Sequence, residues 1–171
     1  MIYAKIGDIT EVKTEVICSA ANGVAVMGAG VAGAIRNACG DEMQVEAKNI
    51  CKKNGSPIEA GNCYITSAGK LVENGIKYVY HIVTMTYPGG QTSLKIISDA
   101  WREALRKAIV NKIKSISVTG LGIGIGHLDF ESVARDMVNI AKQYAFTNDI
   151  DIYFIDRDKN FIDKVLECIK T

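Results

Sequence analysis

Histidine is scarce in this chain: His81 and His127 are the only two in 171 residues. Five cysteines are present, Cys18, Cys39, Cys51, Cys63 and Cys168, and no two are spaced as CxxC. These shortages argue against a zinc site, and no metal or cofactor is expected. An odd, scattered cysteine set fits reduced thiols in the core of a cytoplasmic protein. No apolar run approaches the ~20 residues of a membrane span. The opening MIYAKIGDIT has neither the charged nor the apolar region of a secretory signal. Excess charge is lacking too, since Lys and Arg number 20 against 19 Asp and Glu, for a net charge of +1. No overall basic field therefore argues for nucleic acid. What remains is an ordinary globular composition, 48% apolar and 23% charged, with no linker, repeat or low-complexity segment. It predicts a single domain over 1–171, with monomer as the expected state.

Hydrophobic periodicity predicts alternating strands and helices. Strands are expected over 1–6, 15–20, 61–68, 76–84, 114–119 and 149–155. Helices are expected over 30–39, 41–53, 93–111, 129–144 and 159–169. In the third helix Leu94, Ile97, Trp101, Leu105 and Ala108 fall on one face. The pattern predicts an α/β fold with helices on both faces of one sheet.

Two glycine stretches stand out. VAVMGAGVAGAI (24–35) contains a G-x-G-x-x-G, formed by Gly28, Gly30 and Gly33. A dinucleotide fingerprint needs a second strand ending in Asp or Glu about 20 residues later. Here the following DEMQVEAKNICKKNG (41–55) is helical in pattern, which argues against a NAD-dependent oxidoreductase. GLGIGIGH (120–127) is the second stretch, and no Gly-Lys-Ser/Thr follows to make it a Walker loop. Both stretches follow a strand and precede a helix. Glycines allow close backbone approach, and helix N-termini present several N–H groups to an anion. Side by side, two such loops suit two linked phosphates held by backbone. A plain flexible turn is the other reading of the second loop.

Read in order, the motifs resemble a macrodomain, the ADP-ribose-binding module. GDIT (7–10) and EVICSAAN (15–22) are similar to the family's GDIT and VNAAN segments, and MGAGVAGAI (27–35) to its first glycine loop. GNCYITSAGKL (61–71), GIKYVYHIVT (75–84) and the second glycine loop follow in the family's order. The resemblance implies a three-layer α/β/α sandwich with a mixed central sheet and a cleft over the strand ends. By matched position, Asp8 would accept from the adenine amine, with Ile9 beside the ring. Asn22 would face the distal ribose. Gly28, Ala29, Gly30 and Val31 would form the first diphosphate loop, and Gly122, Ile123, Gly124, Ile125 and Gly126 the second. Alone, Asp8 and Asn22 also read as ordinary turn residues. His81, inside a strand, reads as a core histidine. His127, bordering the second loop, is with Asn22 a candidate catalytic hydrogen-bonding group.

Four positions depart from the family pattern. Ser19 replaces the first asparagine of VNAAN, which weakens support near the distal ribose. Ala32 stands where one hydrolase branch has an aspartate that helps position water, and it can do no acid or base work. Gly126 replaces an aromatic of the second loop. Asp156, in IYFIDRDK (152–159), stands near where some members stack an aromatic on adenine. Tyr153 or Phe154 would substitute only with a shifted alignment, since neighbours on a strand face opposite ways. The resulting expectation is binding of ADP-ribose, its derivatives or an ADP-ribosylated protein. Weak hydrolysis of ADP-ribosyl esters or ADP-ribose-1″-phosphate, assisted by the ligand's own phosphate, is compatible with it. A non-catalytic reader and a fold retuned to another nucleotide or an RNA end are the alternatives.

Overall fold

A computed structural model describes residues 1–171. Six strands form one sheet: β1 (Ile2–Ile6), β2 (Val16–Asn22), β3 (Cys63–Ser67), β4 (Tyr78–Met85), β5 (Ser115–Val118) and β6 (Asp151–Asp156). Five helices accompany them: α1 (Gly30–Cys39), α2 (Asp41–Lys53), α3 (Leu94–Val110), α4 (Phe130–Thr147) and α5 (Lys159–Lys170). The sheet order is β1-β6-β5-β2-β4-β3, parallel throughout except for β3, which runs antiparallel to β4 at the edge. This is the mixed sheet of an α/β/α sandwich. No helix is long and apolar enough to cross a membrane.

Burial divides each inner strand by alternation. In β2, Val16 and Cys18 face the core shared with α3, α4 and α5, while Ile17 faces the core shared with α1. In β6, Ile152 and Phe154 face the first layer, and Tyr153 and Ile155 the second. Helix α3 buries Ile97, Ala100, Trp101, Ala104, Leu105 and Ala108, a stripe at helical spacing. Leu94, expected on that face, sits in the first turn and is 39% exposed. Trp101 donates its indole N–H to the carbonyl of Met137 at 3.1 Å and meets Phe154 edge-on at 6.3 Å. The five cysteines are all free and buried.

Local chemistry sets the element ends. Gly40, at φ +96, ends α1 and immediately starts α2. Helix α2 opens with Asp41 and Glu42 and closes with Lys52 and Lys53, both favourable to its dipole. Ser93, Asp129 and Asp158 cap α3, α4 and α5 through side-chain oxygens. Two short 3-10 turns, Ile9–Glu11 and Gly69–Asn74, have no periodicity that the sequence pattern could show.

Candidate functional site

Because β1, β6, β5, β2 and β4 are parallel, their carboxyl ends share one rim of the sheet. Ligands of open α/β sheets bind outside that rim. Two contiguous hollows lie there. One, of about 270 Å³, is lined by residues that include Asp8, Ile9, Asp156 and Arg157. The other, of about 430 Å³, is lined by Asn22, the first glycine loop, Thr84 and Met85 from β4, and the second glycine loop. Gly30, Val31 and Thr119 line both, so they form one cleft. A larger hollow, about 700 Å³, lies away from this cleft along the edge strand β3 and contains none of the candidate residues.

Asp8 sits in the turn after β1. Thr10 donates both its backbone N–H, at 2.9 Å, and its hydroxyl, at 2.7 Å, to Oδ1. Arg157 donates Nη2 to Oδ2 at 2.7 Å. The Thr10 hydrogen bonds, with help from Arg157, hold the carboxyl below its ordinary range. Ile9 is buried beside it.

Asn22, the last residue of β2, organises the loop that follows. Its Oδ1 accepts from the N–H groups of Val24 and Val26, and its Nδ2 donates to the carbonyl of Val26 at 2.9 Å. One Nδ2 proton remains for a ligand. The loop then delivers the N-terminus of α1. The N-cap is Ala29, which has no capping side chain, and the amides of residues 28–32 make no hydrogen bond within the chain. Gly30 adopts φ +61 to turn into the helix.

The second loop contributes another run. The amides of Ile123, Gly124, Ile125 and Gly126 likewise have no partner in the chain. Asp156 anchors the start of this segment, accepting from Gly120 N–H through Oδ2 at 2.8 Å and from Asp158 N–H through Oδ1 at 2.9 Å. The two loops are not equivalent. Helix α4 starts only at Phe130, and the Asp129 carboxylate already accepts from one of its first amides, that of Ser132. Only α1 offers an open helix N-terminus to the cleft.

Of the sequence-derived candidates, Asp8, Ile9, Asn22, Gly28, Ala29, Gly30, Val31, Gly122, Gly124, Ile125 and Gly126 all line the cleft. Ile123 does not; it turns inward against the main core. His127 does not either. It is exposed at φ +54 beyond the loop, and its N–H closes a turn onto the carbonyl of Gly124. Ser19 is fully buried mid-sheet, level with His81, below the cleft rather than in it. Tyr153 stacks on Tyr3 at 4.7 Å and Phe154 is in the core, so neither reaches the base end. Gly126 has a steric reason: a Cβ there would stand 2.6 Å from the carbonyl oxygen of Gly122 and 2.7 Å from Thr92. Thr84, Met85, Thr119 and Arg157 were not legible as site residues in the sequence. For Arg157 the available signal was its place directly after the last strand.

The chemistry of the cleft is lopsided. Every ionisable lining group, Asp8, Asp156 and Arg157, belongs to the smaller hollow. The larger one is lined by apolar side chains, glycines, two threonines and Asn22. Such a site can hold an anion by backbone dipoles and has no side chain that titrates at its far end.

The family model described as Macro domain matches residues 18–137. The chain belongs to that family. An uncharacterised protein of Sulfurisphaera tokodaii is 39% identical over 142 residues, covering 83% of this chain and 74% of that protein. The Oceanobacillus iheyensis macrodomain with ADP superposes with a TM-score of 0.85 at 26% identity, over 98% of this chain and 88% of the other. A mutant of that macrodomain with ADPR gives 0.84 at 25% identity, over 98% and 90%.

Proposed function

We propose that this chain binds ADP-ribose, free or attached to a protein, and acts as a reader that supplies no side-chain acid or base to the ligand's distal end. Adenine goes to the smaller hollow, with its amine on Asp8. The diphosphate lies across the amides of 28–32 and 124–126, and the distal ribose extends toward Asn22. The observation that carries this reading is the pair of unpartnered amide runs in the loops that line one cleft, made of a carboxylate-bearing hollow and an uncharged one. Free helix and loop amides suit a diphosphate better than any neutral ligand. The ADP and ADPR complexes of the Oceanobacillus relative support the same ligand class.

Ala32 and the absence of a titratable group around the larger hollow favour the reader over a hydrolase. Calorimetric titration with ADP-ribose, with AMP and NAD as controls, tests binding. Preference for ADP-ribose over both is expected, and equal affinity for AMP would show that the cleft does not recognise a diphosphate. Incubation with ADP-ribosylated glutamate, acetyl-ADP-ribose and ADP-ribose-1″-phosphate tests turnover. Release above a buffer control would replace the reader by an enzyme in which the ligand's own phosphate orients water.

A further inference from the structure

The two edges of the sheet are finished differently. At β3, side chains close both ends of the free edge. Lys107 donates Nζ to the carbonyl of Cys63, and Ser67 donates its N–H to Glu46 at 2.6 Å. Charged side chains placed on an edge discourage a further strand. Strand β1 has no such cover. The carbonyl of Met1 accepts from Ile152 and Gly7 donates to Asp156, so the odd-numbered residues bond to β6. Ile2, Ala4 and Ile6 therefore turn their backbone groups away from the sheet, and these N–H and C=O groups have no partner in the chain. Apolar side chains accompany them. Ile6 is 52% exposed, and Tyr3 and Leu166 are each 38% exposed, the latter on α5, which packs on β1.

An open edge of this kind is a template for another strand, and the residues of β1 specify which. IYAKI (2–6) is nearly symmetric about Ala4, with isoleucine at both ends. Set antiparallel to its own copy about a two-fold axis through Ala4, Ile2 meets Ile6 of the second copy. Every outward N–H of both strands then finds a carbonyl. Tyr3 falls opposite Lys5 of the second copy, a close pair in which an ammonium meets an aromatic ring. An axis through Lys5 would set two lysines opposite each other. An axis through Tyr3 would carry Ile6 past the end of the facing strand.

We infer that this chain forms a two-fold dimer through β1, joining two sheets edge to edge. The occupant of the edge is a second copy because the strand is its own complement in backbone, apolar pairs and charge. The joined strands run antiparallel, so the two clefts open at opposite ends of the combined sheet. Dimerisation of this kind is independent of the ADP-ribose reading and differs from the monomeric state that length and composition predict.

Sedimentation velocity at about 100 μM and about 1 μM is expected to show a wild-type dimer that dissociates on dilution, as a small interface does. Ala4→Pro removes an N–H that bonds nothing within the chain and puts a ring on the edge, where proline is tolerated. It is expected to be monomeric at both concentrations, with the circular dichroism of the wild type. Tyr3→Lys sets like charges opposite each other and is expected to weaken the dimer about tenfold. Tyr3→Lys combined with Lys5→Glu restores opposite charges across the axis and is expected to recover most of that loss. This pair carries the test if Ala4→Pro fails to fold. A wild type that is monomeric at the higher concentration overturns the inference. So does a dimer that survives a folded Ala4→Pro, because another surface would then hold it. A double variant no better than Tyr3→Lys alone overturns it too, because the strands would not meet about Ala4.

Discussion

Thr10 holds one oxygen of Asp8 and Arg157 holds the other, so this carboxylate has a structural task and a proposed recognition task at once. The two separate by mutation. Asp8→Ala removes the cap of the 3-10 turn, at about 1 kcal/mol of stability. Asp8→Asn keeps an acceptor for Thr10 but turns a donor toward the adenine amine. Both variants are expected to lose about tenfold or more in ADP-ribose affinity, with Asn near wild type in urea denaturation. Unchanged calorimetric affinity in either would remove Asp8 from the site. His81 carries a different consequence. It lies fully buried, stacked on Tyr64 at 4.6 Å, with Nε2 against the Thr66 hydroxyl and Nδ1 without a partner. Burial pushes its pKa down to about 3. The unfolded chain therefore takes up a proton near pH 6.5 that the native chain refuses. Stability is unaffected above that pH and falls below it by about 1.4 kcal/mol per pH unit until about pH 3. Urea unfolding is expected to show about 2 kcal/mol less stability at pH 5 than at pH 7. The depressed carboxyls of Asp8, Glu15 and Glu103 add losses only at lower pH. A flat profile between pH 7 and 5 would mean that His81 opens to water.

At the scale of elements, the decisive one is the N-terminus of α1. Its loop is built by Asn22, its entry by Gly30 at φ +61, and its open amides by the missing capping side chain at Ala29. Gly30→Ala introduces the strain of a left-handed residue without clash, since a Cβ there meets nothing within 4 Å. Gly30→Glu adds bulk and negative charge where a diphosphate would lie. Glutamate is expected to abolish ADP-ribose binding while alanine retains most of it, as read by calorimetry. Equal behaviour of the two would assign the loss to backbone strain. The second loop is constrained from the other side. Gly126→Tyr restores the aromatic of the family pattern, but its Cβ has no room beside the carbonyl of Gly122. About 1–3 kcal/mol of destabilisation is expected from that overpacking, measured by thermal or urea unfolding. A variant as stable as wild type would show that the loop shifts to admit a side chain.

At the scale of the whole molecule, the parallel order of β1, β6, β5, β2 and β4 brings residues as distant as Asp8 and Arg157 to one rim. The sequence by itself determined the elements, because buried strands and amphipathic helices are written in local periodicity and in caps such as Ser93, Asp129 and Asp158. It also determined the family, through motifs whose order is fixed along the chain. Most of the candidate site was legible for the same reason: glycine loops and turn acids are local features. Only the tertiary structure decided what each side chain faces. It turned Ile123 into the core, left His127 outside, buried Ser19 and placed Arg157 against Asp8 across the chain. Those outcomes depend on strand order and on the direction of individual side chains. Neither has a signature in one sequence, because the partners that fix them are more than a hundred residues apart for Asp8 and Arg157.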